Sequence, residues 1–168
     1  LHHIAEQMPG RAKLVSLTRR LSRFLNNRAI RVRSLYAPIA QALLQAANRS
    51  GEIRVVVDAT KVSFGHQLLI IAIAYRKRAL PVAWTWVKHA RGHSTGRKQL
   101  ALLAYVRQLI PPGAAVFLVG DCEFGSVPGL HQLDRWRWFY VLRQSSDTGI
   151  WFSEQGGWQP FGSYIQRP

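Results

Sequence analysis

Two aspartates stand at the ends of the most strand-like runs in the chain. Asp58 closes Ile53-Arg54-Val55-Val56-Val57, and Asp121 closes Val116-Phe117-Leu118-Val119-Gly120. Carboxylates are scarce: eight Asp and Glu stand against 23 Lys and Arg, a net charge of +15. Continuous runs of branched and aromatic residues predict buried strands. The carboxyl end of a parallel strand is where open α/β sheets bind their ligands. On neighbouring strands, about 4.8 Å apart, two carboxylates repel unless a cation joins them. Mg²⁺ suits such a pair, because it is hard and takes one or two carboxylates together with substrate phosphate. Paired ions of this kind stabilise the attacking and leaving oxygens of phosphoryl transfer. Asp58 and Asp121 are therefore the candidate catalytic and metal-binding residues. The alternative for either one is a turn or cap residue.

Other polar residues compete for attention. Glu123 lies two positions beyond Asp121 and is either a further ligand or a salt-bridge or helix-start residue. His89 and His93 have the i, i+4 spacing of a zinc pair, but Gly92 and Gly96 place them in a loop. Cys122 is the only cysteine, which excludes an intramolecular disulfide and fits a reducing cytoplasm. Lys61 and Arg143 follow strand-like runs and are either phosphate contacts or solvated edge charges. Trp136 and Trp138, two apart, cannot share a helix face. Trp151 and Trp158 either stack on a displaced base or pack within a β-insertion.

The positive charge has a focus. Residues 11–33 carry Arg11, Lys13, Arg19, Arg20, Arg23, Arg28, Arg31 and Arg33 and no acid. A solvated face normally mixes signs, so this stretch predicts a phosphate contact surface. Lys13, Arg19, Arg20 and Arg23 are its candidate DNA-binding residues, with Arg143 as one more near the second aspartate. No apolar run approaches the ~20 residues of a membrane span, so no membrane partner is expected.

The elements that must carry these groups follow from periodicity. Leu14, Leu17, Leu21, Phe24 and Leu25 make one apolar helical face within residues 11–27, and residues 37–48 form a second helix with Pro38 in its first turn. After a break at Asn48 to Gly51 the period changes. Strands are expected at 53–58, at two positions within 66–89 joined near Arg76–Arg78, at 115–121 and at 139–144. Pro81 falls at a strand start. Helices are expected at 98–110 and 126–138, and the remainder reads as turns and short β-pieces. Three strands, helix, strand, helix, strand packs as a mixed sheet with helices on its faces.

That order, with its motifs, resembles the DDE transposases of bacterial insertion sequences. The resemblance rests on Asp58-Ala59-Thr60 after an apolar strand, on "LVGDCEFGS" (118–126), on "LPVAW" (80–84) and "FYVLRQ" (139–144), and on "RRLSRFLNN" (19–27) upstream. Cys122 stands where the family commonly has Arg. The resemblance implies an RNase H-like mixed α/β sheet flanked by helices. It also implies a basic helical DNA-binding region at 1–50 and a partial catalytic core at 51–168. Mg²⁺ or Mn²⁺ would be the cofactor, and double-stranded DNA, both transposon ends and target, the partner. A homodimer is compatible with the full-length form. The family's third acid, a glutamate in a Tyr-x-x-Arg-Glu-x-x-x-Lys type motif, has no counterpart. Glu154, 33 positions after Asp121, has acceptable spacing, but Gly156, Gly157 and Pro160 follow it. The expectation is a chain ending inside a β-rich insertion that starts near residue 146, inactive alone. The competing expectation is a non-catalytic nucleic-acid-binding module or transposase relic on a similar sheet.

Overall fold

The computed structural model describes residues 1–63, 65–88, 94–152 and 156–164. His89, His93 and Glu154 lie outside the described residues. The chain forms two units, Leu1–Pro38 and Ile39–Pro168.

The first unit holds α1 (His2–Glu6), α2 (Leu14–Leu25) and the start of α3 (Val32–Ala47). Helix α2 touches α1. Its apolar stripe is narrower than the periodicity predicts: Leu17 is buried and Leu14 and Leu21 are half-buried, but Phe24 and Leu25 are exposed. Helix α3 begins five residues earlier than the first-turn placement of Pro38 predicts. Pro38 therefore sits inside the helix. It donates no N–H to the turn below, which weakens the helix there, and the division between the two units falls at this residue.

The second unit is built on a sheet. Ala40 and Leu44 of α3 are buried, and a 3₁₀ turn at Asn48–Ser50 leads to Gly51, whose φ of 80° reverses the chain. Strands β1 (Glu52–Ser63), β2 (His66–Tyr75) and β3 (Arg78–Lys88) follow, then α4 (Gly96–Leu109), β4 (Ala115–Gly120), α5 (Val127–Arg135) and β5 (Phe139–Leu142). The sheet order is β3-β2-β1-β4-β5. The β1/β2 and β2/β3 pairs are antiparallel, while β1/β4 and β4/β5 are parallel. This mixed α/β architecture matches the RNase H-like sheet expected from the sequence. A separate hairpin, β6 (Gly149–Phe152) and β7 (Gly157–Pro160), places Trp151 directly opposite Trp158 with ring centroids 5.7 Å apart. No helix among the described residues is long and apolar enough to cross a membrane.

Helix α4 lies against β2 and β3, α5 lies against β5, and the two helices touch each other. They cover the same face, as right-handed crossovers running in one direction require. Alternate residues of the strands point to it. Ile53, Val55, Val57, Leu69, Ile71, Val116 and Leu118 are all buried, as are Leu102, Val106 and Leu133 of the helices. Burying each such side chain stabilises the fold by roughly 1.5–3 kcal/mol.

Two strand expectations need correction. Strand β1 continues five residues past Asp58, because β2 goes on pairing with it as far as Ser63. Pro81 is not at a strand start. It lies within β3, where Ile71 pairs with Ala83 and Ala72 with Pro81, leaving Val82 as the extra residue of a bulge. A bulge on an edge strand is one of the few places in a sheet that accept proline.

Helix α5 is shorter than expected because it ends in a Schellman motif. The Arg137 N–H donates to the Asp134 carbonyl at 2.9 Å, and the Trp138 N–H to the Leu133 carbonyl at 3.0 Å. Arg137 takes φ of 58° to close it. Trp136 and Trp138 are thus freed from helical geometry and come together, ring centroids 5.3 Å apart, with Trp138 in the core. A non-glycine residue in this left-handed conformation costs roughly 1 kcal/mol. Arg137→Gly should therefore raise the unfolding free energy by about 1 kcal/mol in urea titration, unlike Arg135→Gly within the helix, which should lower it.

Candidate metal centre

The parallel pairing of β1 with β4 runs from Glu52 opposite Ala115 to Val56 opposite Val119. Continued by two residues, the same register sets Asp58 beside Asp121. Gly120 shows that the register does continue: a Cβ placed on it would lie 2.8 Å from Val57 Cγ1 and 3.1 Å from Leu142 Cδ2. Val57, Gly120 and Leu142 therefore meet on the helix-covered side. Their successors Asp58, Asp121 and Arg143 share the opposite side, since strand side chains alternate. Both aspartates are exposed. The Arg143 N–H donates to the Gly120 carbonyl at 3.0 Å, extending the β4/β5 ladder to this row. On the other flank, Asp58 pairs with Ile70 and Ile70 with Trp84. One row across the sheet thus reads Arg143, Asp121, Asp58, Ile70, Trp84.

Each carboxylate is held by a local backbone donor. Asp58 Oδ1 accepts from the Ala59 N–H at 2.8 Å, and Asp121 Oδ1 accepts from the Glu123 N–H at 2.8 Å. The Asp121 bond caps a short 3₁₀ turn, Cys122–Phe124. One oxygen of each aspartate is fixed in this way. Two hard oxygen donors about one strand spacing apart fit a Mg²⁺ or Mn²⁺ ion. Among the described residues no group of three or more His, Cys, Asp or Glu is assembled for a metal.

The surroundings favour the ionised form of Asp121. Its pKa is lowered chiefly by the Glu123 N–H, then by the Cys122 side chain, with Arg143 adding a smaller electrostatic contribution against slight desolvation. The same contact pushes the Cys122 thiol up, since its S–H is held by the Asp121 carboxylate. Cys122 is exposed, but as a thiol rather than a thiolate it is a poor nucleophile.

The remaining sequence candidates separate. Lys61 lies an odd number of strand positions from Asp58 and so points to the opposite side of β1. Glu123 reaches away from the row: its Oε1 accepts from the Ser94 N–H at 2.7 Å and from the Ser94 hydroxyl at 2.5 Å. Gln99, buried in α4, donates to Ser94 Oγ at 2.8 Å and to the Glu123 carbonyl at 3.3 Å. Sequence reading missed this cluster, although a signal was present. Gln99 occupies the same helical stripe as Leu102, Leu103 and Val106, where a polar residue needs a partner. In the first unit, Lys13 is the residue preceding α2, and Arg19, Arg20 and Arg23 are exposed along it. Arg20 and Arg23, with Met8, Leu21 and Phe24, line an open cleft of about 470 Å³.

No family model matches the chain, and no curated protein matches it. Among solved structures it is similar to the catalytic domain of Mos1 mariner transposase. The TM-score is 0.40 and the identity 13%, over 69% of this chain and 63% of that domain. The chain thus spans less than two thirds of that domain's length.

The Asp121–Cys122 pair yields a titration test. A carboxylate with a lowered folded pKa contributes stability above its unfolded value and loses it as pH falls through the folded value. In EDTA, the Asp121 carboxyl resonance should titrate below the ordinary aspartate midpoint. Cys122 alkylation at pH 8 should be slow, and Asp121→Asn should speed it by releasing the thiol. Equal rates in both proteins would show that the two side chains do not interact.

Proposed function

We propose that this chain is part of a DDE-type transposase of the insertion-sequence class, acting on double-stranded DNA by metal-dependent phosphodiester cleavage and strand transfer. The observation that carries this reading is the shared row of Asp58 and Asp121 on adjacent parallel strands, with Arg143 beside them. Asp58 and Asp121 would hold Mg²⁺ or Mn²⁺, which when bound supplies charge neutralisation for a phosphodiester under attack. Arg143 offers a fixed positive charge to a phosphate at the same spot. Arg19, Arg20 and Arg23, with Lys13, anchor duplex DNA through its backbone without reading sequence. In the complete reaction, water opens a phosphodiester at the element's end, and the 3′-hydroxyl released attacks target DNA. The two-carboxylate set among the described residues favours a chain that binds metal and DNA but cleaves inefficiently by itself. A second reading, a non-catalytic DNA-binding module, has the same small donor set in its favour and requires no metal.

Mn²⁺ distinguishes the two. The chain should gain thermal stability in millimolar Mn²⁺, and the double variant Asp58→Asn, Asp121→Asn should not. An equal response in both proteins would refute the metal assignment and leave the binding module.

Duplex binding across a salt series tests the basic helix. If about five cations neutralise phosphates, log affinity should fall with log salt at a slope near −4.5. Replacing Arg19, Arg20 and Arg23 by Ala should reduce that slope by roughly 3. The helix should stay folded by circular dichroism, because Leu14, Leu17 and Leu21 are untouched. An unchanged slope in the folded variant would move the DNA contact elsewhere.

A further inference from the structure

Glu123 is bonded through its N–H, its carbonyl and one carboxylate oxygen. Its N–H donates to Asp121 Oδ1 at 2.8 Å, its carbonyl accepts from Gln99 Nε2 at 3.3 Å, and its carboxylate accepts twice from Ser94. Ser94 lies 29 residues earlier in the chain, just before α4, and is 8% exposed; Gln99 is 5% exposed. The turn that carries Asp121 is therefore anchored to the start of α4 as well as to β4. Phe124, the next residue, is also buried and fixes the far side of the same turn.

We propose that Glu123 is a positioning residue, which acts with Ser94 and Gln99 as a latch that orients the Asp121 carboxylate toward Asp58. Without the latch the turn is tethered by Phe124 and its own short-range bonds, with no tie to α4 at Glu123. Asp121 Oδ1 then loses a donor held in place, and the carboxylate loses its direction. The inference rests on the reading of Asp58 and Asp121 as metal ligands. It also assigns Glu123 a role different from that of a third ligand, the alternative that its position two residues from Asp121 suggests.

The test uses the full chain with Glu123→Gln, Glu123→Ala, Ser94→Ala and Asp58→Asn. Two measurements are made: Mn²⁺ affinity by calorimetry, and exchange of the Glu123 amide proton in EDTA. An amide oxygen at position 123 still accepts from Ser94, so Glu123→Gln should keep Mn²⁺ affinity close to that of the parent. Glu123→Ala should lose about tenfold or more, the usual cost of removing a residue that orients a ligand. Its residue-123 amide should also exchange faster, as the bond to Asp121 opens. Ser94→Ala removes the hydroxyl donor but keeps the Ser94 N–H on Glu123, and should give a smaller loss in the same direction. Equal losses for Gln and Ala would make Glu123 a direct ligand and overturn the proposal. So would unchanged affinity and unchanged exchange in folded Glu123→Ala. If the parent binds no Mn²⁺, or if Asp58→Asn binds it equally well, the ligand reading fails. The amide exchange then still decides whether Glu123 holds Asp121.

Discussion

Everything on the outward row of the sheet depends on the parallel pairing of β1 with β4. These strands are separated by two antiparallel strands and a helix, so no local turn fixes their register. It is fixed by burial: Ile53, Val55 and Val57 meet Val116 and Leu118 beneath α4 and α5. A slip of one residue would turn this whole set outward and drive Asp58 into an apolar core. Unpaired burial of a carboxylate costs far more than the sheet gains from one extra pair. Gly120 sharpens the constraint, because Val57, Leu142 and Phe124 occupy the space a side chain would need. The residue before Asp121 is thus small for packing reasons, and that packing locks the residue after it.

Two carboxylates side by side should repel, yet the fold tolerates them without ion pairs to either one among the described residues. Exposure is part of the reason, since water screens the pair. Backbone donors are the other part. The Ala59 and Glu123 N–H groups each bond one aspartate at 2.8 Å, and Arg143 sits on the flank of Asp121. These contacts favour the charged form of Asp121. Negative charge is therefore maintained at one spot on a chain whose net charge is +15.

The strand order was legible because each run of branched residues is bounded by a turn or a change of period. "LLIIAIAY" and "AVFLVG" hardly allow another reading. The ends were less legible. Strand β1 overran Asp58 because its last residues pair with β2 as far as Ser63, while Thr60, Lys61 and Val62 are exposed, which periodicity does not register. Helix α5 stopped early because Arg137 adopts a conformation that sequence rules assign to glycine. Helix α3 began early and passed through Pro38, against the proline's local preference. For the site, the aspartates stood out as a residue type rare in this chain closing apolar runs, although Asp58 lies within β1 and not at its end. The row that joins them to Arg143 was not, since it exists only once β1, β4 and β5 are in register.

The buried Ser94–Gln99–Glu123 cluster explains why part of the core is polar at all. A leucine at position 99 would continue the stripe of Leu102, Leu103 and Val106 and bury more apolar surface. It would also leave Ser94 Oγ and the Glu123 carbonyl without their Gln99 donor, at about 1–3 kcal/mol for each polar group left unpaired. The three residues are therefore favourable only together, as is general for polar networks in a low-dielectric interior. Removing the cluster altogether would remove that penalty. It would also leave the Asp121 turn held by Phe124 and its own 3₁₀ bonds. A fold selected for stability alone has little reason to keep Gln99 there, whereas a fold that ties the Asp121 turn to the start of α4 does.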